Sequence, residues 1–235
     1  MTETLPPVRT THTFATPAGS WCYDTWGVHG RPAVLLAAAL FDRTTWWPVA
    51  ADLRPHATVV AVDLPGHGGS TTHGHYDADA LVDDLACLID SLRLRRAPVI
   101  VGHGSSALLA MLFADRYATH AVVTVDPTPP AVLAAGVDAY LHTMGLDAIP
   151  EQYRGLVEAS RDTHLLDAYA ASLGRVTAMT GTNTTGLVVH SRAPDEPRDT
   201  PPTSPRWRYR TYDVPGRFAH LTAEHRFVSD LHTLL

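Results

Sequence analysis

Apolar positions recur along this chain in two alternating periods. Short, predominantly apolar runs at residues 33–37, 58–62, 99–101 and 121–125 are separated by stretches that read as helix. Runs of that length without alternation predict strands covered on both faces, and so a parallel sheet, because a half-exposed strand would alternate apolar with polar positions. The clearest helical stretch carries Leu81, Leu85, Leu88 and Leu92 at i, i+4, i+7 and i+11, with Asp83, Asp84 and Asp90 on other faces. Residues 105–117 are apolar nearly all round (Leu108, Leu109, Met111, Leu112, Phe113), which predicts a buried central helix. Ahead of this rhythm, residues 12–16 and 21–26 predict two strands about the turn Pro17-Ala18-Gly19. Residues 130–179 are helical in pattern without strands. The sheet resumes at 186–190 and 208–214, and an amphipathic helix with Phe227, Leu231 and Leu234 ends the chain. The expected architecture is α/β, with helices on both faces of a mostly parallel sheet, a core built from 1–129 and 180–235, and a small helical cap at 130–179. The proline-rich stretch 194–205 is expected to be a mobile loop, and 206–210, where arginines alternate with Trp207 and Tyr209, a solvated edge strand.

Composition narrows the functions open to such a chain. Its 235 residues suit one sizeable core, and 45% hydrophobic against 18% charged residues exclude a disordered protein. Eighteen basic against 24 acidic residues give a net charge of -6, so no general positive field attracts nucleic acid. Every basic residue is arginine, which excludes a lysine Schiff base or lysine general base. Cys22 and Cys87 are too few for a disulfide framework or a Cys-based zinc site, and Cys87 is expected to be a small buried apolar side chain. His67, His73 and His75 share one loop but have no carboxylate at ligand spacing, so neither a metal nor another cofactor is expected. Without a secretory leader or a run approaching about 18 apolar residues, a soluble cytoplasmic protein with no membrane partner is expected.

Four segments carry a resemblance. The run 58–62 ends in Asp63-Leu64-Pro65-Gly66-His67-Gly68-Gly69-Ser70, and Val99-Ile100-Val101 leads into Gly102-His103. Val125-Asp126-Pro127 closes the strand at 121–125, and Pro215-Gly216 opens the segment that runs to Phe227. In this order and spacing they resemble, over nearly the whole chain, the D-x-P-G-x-G-x-S turn, nucleophile-elbow strand, sixth-strand end and histidine loop of the α/β-hydrolase superfamily. The resemblance implies the α/β-hydrolase fold. An elbow needs small residues two positions either side of the nucleophile, because the turn is tight. Gly102-His103-Gly104-Ser105-Ser106 then puts Gly104 at the nucleophile's position; shifting the frame to Ser105 or Ser106 sets His103 or Leu108 where a small residue belongs. The histidine string is matched by Gly216-Arg217-Phe218-Ala219-His220-Leu221. Arg217 thereby stands at the catalytic histidine's place and His220 at that of a second, structural one. A guanidinium stays protonated and is no general base. The oxyanion turn corresponds to Ala37-Ala38-Ala39-Leu40, with the N–H of Leu40 or Ala39 and that of Ser105 as its donor pair. The triad acid corresponds to Asp195, or alternatively to Asp126.

A bare elbow beside a fixed cation suits a carboxylate or an enolate. The leading expectation is therefore a non-hydrolytic enzyme of natural-product, including modified-peptide, biosynthesis, with Arg217 and Asp195 at the triad-equivalent positions. It would catalyse isomerisation or epimerisation, cyclisation or elimination on a carbonyl- or carboxylate-bearing small molecule or peptide. In its kind of degeneracy the chain resembles the epimerase of bottromycin-type peptide biosynthesis. Leu40, Phe41, Trp46, His103, Gly104, Ser105, Asp126 and His220 are the expected substrate-binding residues, and Tyr140, His142, Met144 and Tyr153 are candidates from the cap. Two alternatives stand beside it: a serine hydrolase using Ser105, His220 and Asp195, and a catalytically inactive ligand-binding protein. Arg217 either binds an anion or pairs with Asp195 or Asp126.

Overall fold

The structure, a computed structural model, describes residues 9–74, 76–176, 184–193 and 205–235. Its centre is an eight-stranded sheet in the order β1-β2-β4-β3-β5-β6-β7-β8. The strands are β1 (Thr10–Thr16), β2 (Gly19–Trp26), β3 (Pro32–Leu36), β4 (Thr58–Val62), β5 (Val99–His103), β6 (Ala121–Val125), β7 (Thr185–His190) and β8 (Trp207–Thr211). β1 and β2 form an antiparallel hairpin whose second strand joins β4 antiparallel, and every pairing from β4 to β8 is parallel. The apolar runs explain this order: β3, β5 and β6 are buried at every residue, as strands sandwiched between helix layers must be.

The helices are α1 (Trp47–Leu53), α2 (Ala78–Ser91), α3 (Ser106–Arg116), α4 (Pro130–Leu133), α5 (Val137–Met144), α6 (Thr163–Leu173), α7 (Ala219–Thr222) and α8 (Glu224–His232). Asp77 caps α2 by accepting the N–H groups of Asp79 and Ala80, and the helix buries Leu81, Val82, Leu85, Leu88 and Ile89. Cys87 departs from expectation. It is exposed, because two residues beyond Leu85 a helix has turned about 200° and faces away from the core. The segment expected as a cap contains α4, α5 and α6, without a strand among its described residues. β8 lies at the sheet edge as expected, but after buried Trp207 it is exposed throughout rather than alternating. Residues 194–204 of the expected loop lie outside the described residues.

A buried ionic cluster pins the D-x-P-G turn beside the segment that follows β3. Arg43 reaches Asp24 through Nε at 2.9 Å and also pairs with Asp63. Asp63 in turn accepts the N–H groups of Arg43 and Gly69, each at 2.7 Å. Both ends of the connection are thereby locked, which fixes His67 over the oxyanion turn. Trp47 serves this cluster: its Nε1 donates to Asp24 at 2.9 Å, and Arg9 covers its ring.

Candidate functional site

β5 runs straight into α3 through a single bent residue. Gly104 has φ +56°, donates its N–H to Val125 O at 2.8 Å, and accepts from Thr128 N at 3.1 Å. The left-handed backbone is what glycine adopts without strain. A Cβ at Gly104 would lie 2.8 Å from the Ala38 Cβ, closer than real Cβ atoms approach, and 3.6 Å from Thr128 Oγ1. A Cβ at Gly102 would run into the Ser106 carbonyl, so strand and helix pack there as tightly as the elbow rule demands. Ser106 closes the other side by donating to Ala37 O at 2.5 Å.

The oxyanion turn corrects the expectation of a free donor pair. Leu40, with φ 69°, donates its N–H to His67 Nε2 at 2.8 Å, and Ala39 donates its own to Ser105 Oγ at 2.8 Å. Both N–H groups on the turn are thus satisfied from within the protein. His67 Nδ1 lies 3.1 Å from Pro65 O, which sets the tautomer: Nδ1 carries the proton and Nε2 accepts. Burial pulls His67 down to about 4, so it is neutral near pH 7. From α5, the buried Tyr140 hydroxyl donates to Ala39 O at 3.1 Å; burial raises its pKa, opposed by its hydrogen bond with Ser105. Met144 is buried in the core, His142 is exposed, and Tyr153 donates to Glu224.

At the ends of β6 and β7 the acidic candidate is fully engaged. Asp126, with φ 45°, accepts from Ser191 N at 2.6 Å, Ser191 Oγ at 2.8 Å and Ala219 N at 3.0 Å. That arrangement corrects the pairing of Arg217 with Asp126. The half-buried guanidinium instead donates through Nη2 to Pro127 O at 2.8 Å and Asp126 O at 3.3 Å, and no carboxylate pairs with it among the described residues. Asp195, the other candidate partner and the candidate acid, lies outside the described residues.

The two histidines sit beneath this layer. His103 is fully buried and donates from Nε2 to Arg217 O at 2.7 Å; burial pulls it down to about 4. His220 is fully buried too, its ring 4.1 Å from Trp46 and 4.6 Å from His103, with Phe218 and Phe227 around it. Burial, reinforced by His103, holds it well below the ordinary histidine value. Ser105 faces Ala39 and Tyr140 while His220 lies in this aromatic cage, and no hydrogen bond joins the two among the described residues. Trp46 is fully buried and Phe41 nearly so, against Phe218, so both pack in the core. Among the described residues no group of three or more His, Cys, Asp or Glu is arranged to hold a metal; His75 lies outside them.

Sequence reasoning missed the roles of His67, Tyr140 and Ser191. His67 had a usable signal, since it lies in the turn that follows the strand beside β3. Tyr140 was a candidate only by its position in the cap and Ser191 had no signal, because their contacts span 101 and 65 residues.

The family model described as "Alpha/beta hydrolase family" matches residues 27–232. A stretch of 88 residues is 38% identical to uncharacterised proteins of Mycobacterium bovis and Mycobacterium tuberculosis, covering 37% of this chain and 26% of theirs. The match thus spans about a quarter of the length of these curated relatives. Among solved structures, a protein that recognises and ring-cleaves the Pseudomonas quinolone signal superposes with a TM-score of 0.80 at 17% identity, covering 95% of this chain and 98% of its own. E-2-(Acetamidomethylene)succinate hydrolase gives 0.77 at 19% identity, covering 96% and 98%. A thermophilic esterase from Thermogutta terrifontis gives 0.73 at 18%, covering 96% and 97%. At these identities the structural likeness speaks for the fold.

Proposed function

The chain belongs to the α/β-hydrolase family, and from that premise we propose that it is a non-hydrolytic member acting on a carbonyl- or carboxylate-bearing small molecule or peptide. The observation that carries this reading is the elbow. Gly104 offers no attacking atom, and a nucleophile's Cβ at this position would stand only 2.8 Å from the Ala38 methyl. The neighbouring serine does not fill the gap, because Ser105 Oγ accepts the Ala39 N–H and is 1% exposed.

Arg217 supports the substrate class. Among the described residues the half-buried guanidinium meets only carbonyl oxygens, which do not neutralise it, and its charge favours an anion beside it. With neither a nucleophile nor an accessible base at the turn among the described residues, the proposed chemistry is charge stabilisation and orientation of a substrate that supplies some of its own acid or base. Isomerisation or epimerisation, cyclisation and elimination all develop negative charge next to a carbonyl and fit that description. The kind of degeneracy in the motifs supports a place in natural-product, including modified-peptide, biosynthesis.

A second reading, a catalytically inactive ligand-binding protein, has its own supporting observation: both N–H groups on the oxyanion turn are filled from inside by His67 and Ser105. A fluorophosphonate probe together with p-nitrophenyl acetate tests the common ground of both readings. The expected result is no adduct and no turnover above the uncatalysed rate. An adduct on Ser105, with turnover abolished by Ser105→Ala, would overturn both. The two separate in deuterated water, with malonate monoesters as probe: deuterium at the carbon between the carbonyls, incorporated faster than without protein, favours the enzyme. Binding without incorporation favours the binder.

A further inference from the structure

The far end of the sheet carries a charge pattern that the candidate site does not use. The connection between α2 and β5 places Arg93, Arg95 and Arg96 within four residues, all three exposed. None forms an ion pair among the described residues. Several other exposed arginines find carboxylates: Arg116 pairs with Asp79 and Asp83, Arg154 with Glu151, and Arg161 with Asp138, while the exposed Arg54, Arg192 and Arg208 stand apart from one another in the chain and form no ion pair among the described residues. On a chain of net charge -6, three adjacent unpaired guanidinium groups form a local positive field against the overall sign.

These arginines border a groove of about 580 Å³ at the N-terminal ends of β3 and β4, lined also by Pro32, Thr58, Leu94 and the loop 27–30. The loop is held in place. A Cβ at Gly27 or Gly30 would collide with the backbone carbonyls of Arg54, His56 or Ala57, and Thr58 Oγ1 donates to His29 O at 3.1 Å. At its tip Val28 is 81% exposed, the most exposed large apolar side chain among the described residues. An exposed apolar side chain lining one groove with three guanidinium groups that form no ion pair among the described residues matches an anionic partner that also carries apolar surface.

We propose that this groove docks an acidic protein segment, with Arg93, Arg95 and Arg96 taking its carboxylates and Val28 packing against an apolar side chain within it. Guanidinium forks suit carboxylates, and arginine is enriched at protein interfaces. A small polyphosphate would satisfy the arginines but leave Val28 without a role. Parallel strands put the groove at the opposite end of the sheet from the elbow, which follows the C-terminal end of β5, so a docked partner leaves the candidate site open.

The test uses the full chain and two fluorescent polymers of matched length, poly-glutamate and a glutamate–tyrosine copolymer, followed by anisotropy at low ionic strength. The expected result is binding of both, tighter for the copolymer, with a loss of about tenfold or more on Arg93→Ala/Arg95→Ala/Arg96→Ala and steep weakening with salt. Val28→Ser is expected to abolish the copolymer's advantage while leaving poly-glutamate binding unchanged. Unchanged thermal melting shows that the variants remain folded, since all four side chains are exposed. The proposal fails if the triple variant binds within about twofold of the parent. It fails equally if sodium tripolyphosphate binds as tightly as the copolymer and Val28→Ser changes nothing, which would make the groove a phosphate site.

Discussion

His67 Nε2 accepts the N–H of Leu40 at 2.8 Å, so an imidazole of this protein occupies a backbone donor on the turn that the resemblance matches to an oxyanion turn. The contact needs His67 neutral, with its proton on Nδ1, and needs Leu40 in a left-handed backbone. Removing the imidazole leaves a buried N–H without its acceptor. His67→Ala is therefore expected to lower stability by about 1–3 kcal/mol, beyond which a cavity adds more. Chemical denaturation measures it; a variant as stable as the parent would mean that the contact contributes nothing.

The buried histidines also set the acid limit of the fold. His67 and His103 have folded-state values near 4, and His220 lies well below the ordinary value. In the unfolded chain each protonates near 6.5, so between about 6.5 and 4 the unfolded state binds more protons. Stability is thus full above pH 6.5 and falls as pH drops toward 4, in the sense of acid destabilisation. Melting temperatures recorded from pH 7.5 to 4.5 are expected to decline through that window. A flat profile down to pH 4.5 is incompatible with neutral buried imidazoles.

Restoring the apparent nucleophile should not restore hydrolysis. Gly104→Ser adds a side chain at φ +56°, costing about 1–2 kcal/mol, and sets its Cβ against Ala38. The variant is expected to be destabilised and to leave p-nitrophenyl acetate untouched. Ala38→Gly in the same chain should recover part of the stability by vacating the contested space. Esterase turnover in Gly104→Ser alone would show that the turn accommodates a hydroxyl after all.

Asp126 is expected to act as a clamp. Its carboxylate accepts two N–H groups and a hydroxyl, tying the ends of β6 and β7 to the segment entering α7. Asp126→Asn keeps the shape but aims an amide N–H₂ at donors, so a loss of about 2–4 kcal/mol is expected by equilibrium unfolding. Thermal stability equal to the parent's would remove Asp126 from the structural role.

Arg217 separates charge from scaffolding. Arg217→Gln deletes the charge, while its backbone N–H to Met144 O and its carbonyl to His103 need no side chain. Malonate is expected to raise the parent's melting temperature and to have no effect on Arg217→Gln, with Arg217→Lys intermediate. Equal protection of all three places the anion elsewhere.

Much of the fold was legible in the chain because burial on two faces leaves a plain signature. Continuous apolar runs such as 58–62 and the leucine ladder of α2 admit few alternatives to a helix-covered parallel sheet. The tightness of the turn at 102–106 was legible for the same reason, since sterics alone decide which side chains such a turn accepts. The partners of polar groups were not. Whether Leu40 offers a free N–H depends on His67, 27 residues on; whether Arg217 pairs with Asp126 depends on Ser191 and Ala219 claiming that carboxylate first. Apolar burial is non-directional and averages over many neighbours, so periodicity records it; a hydrogen bond depends on two atoms meeting within about 3 Å, and only the folded chain brings distant residues that close.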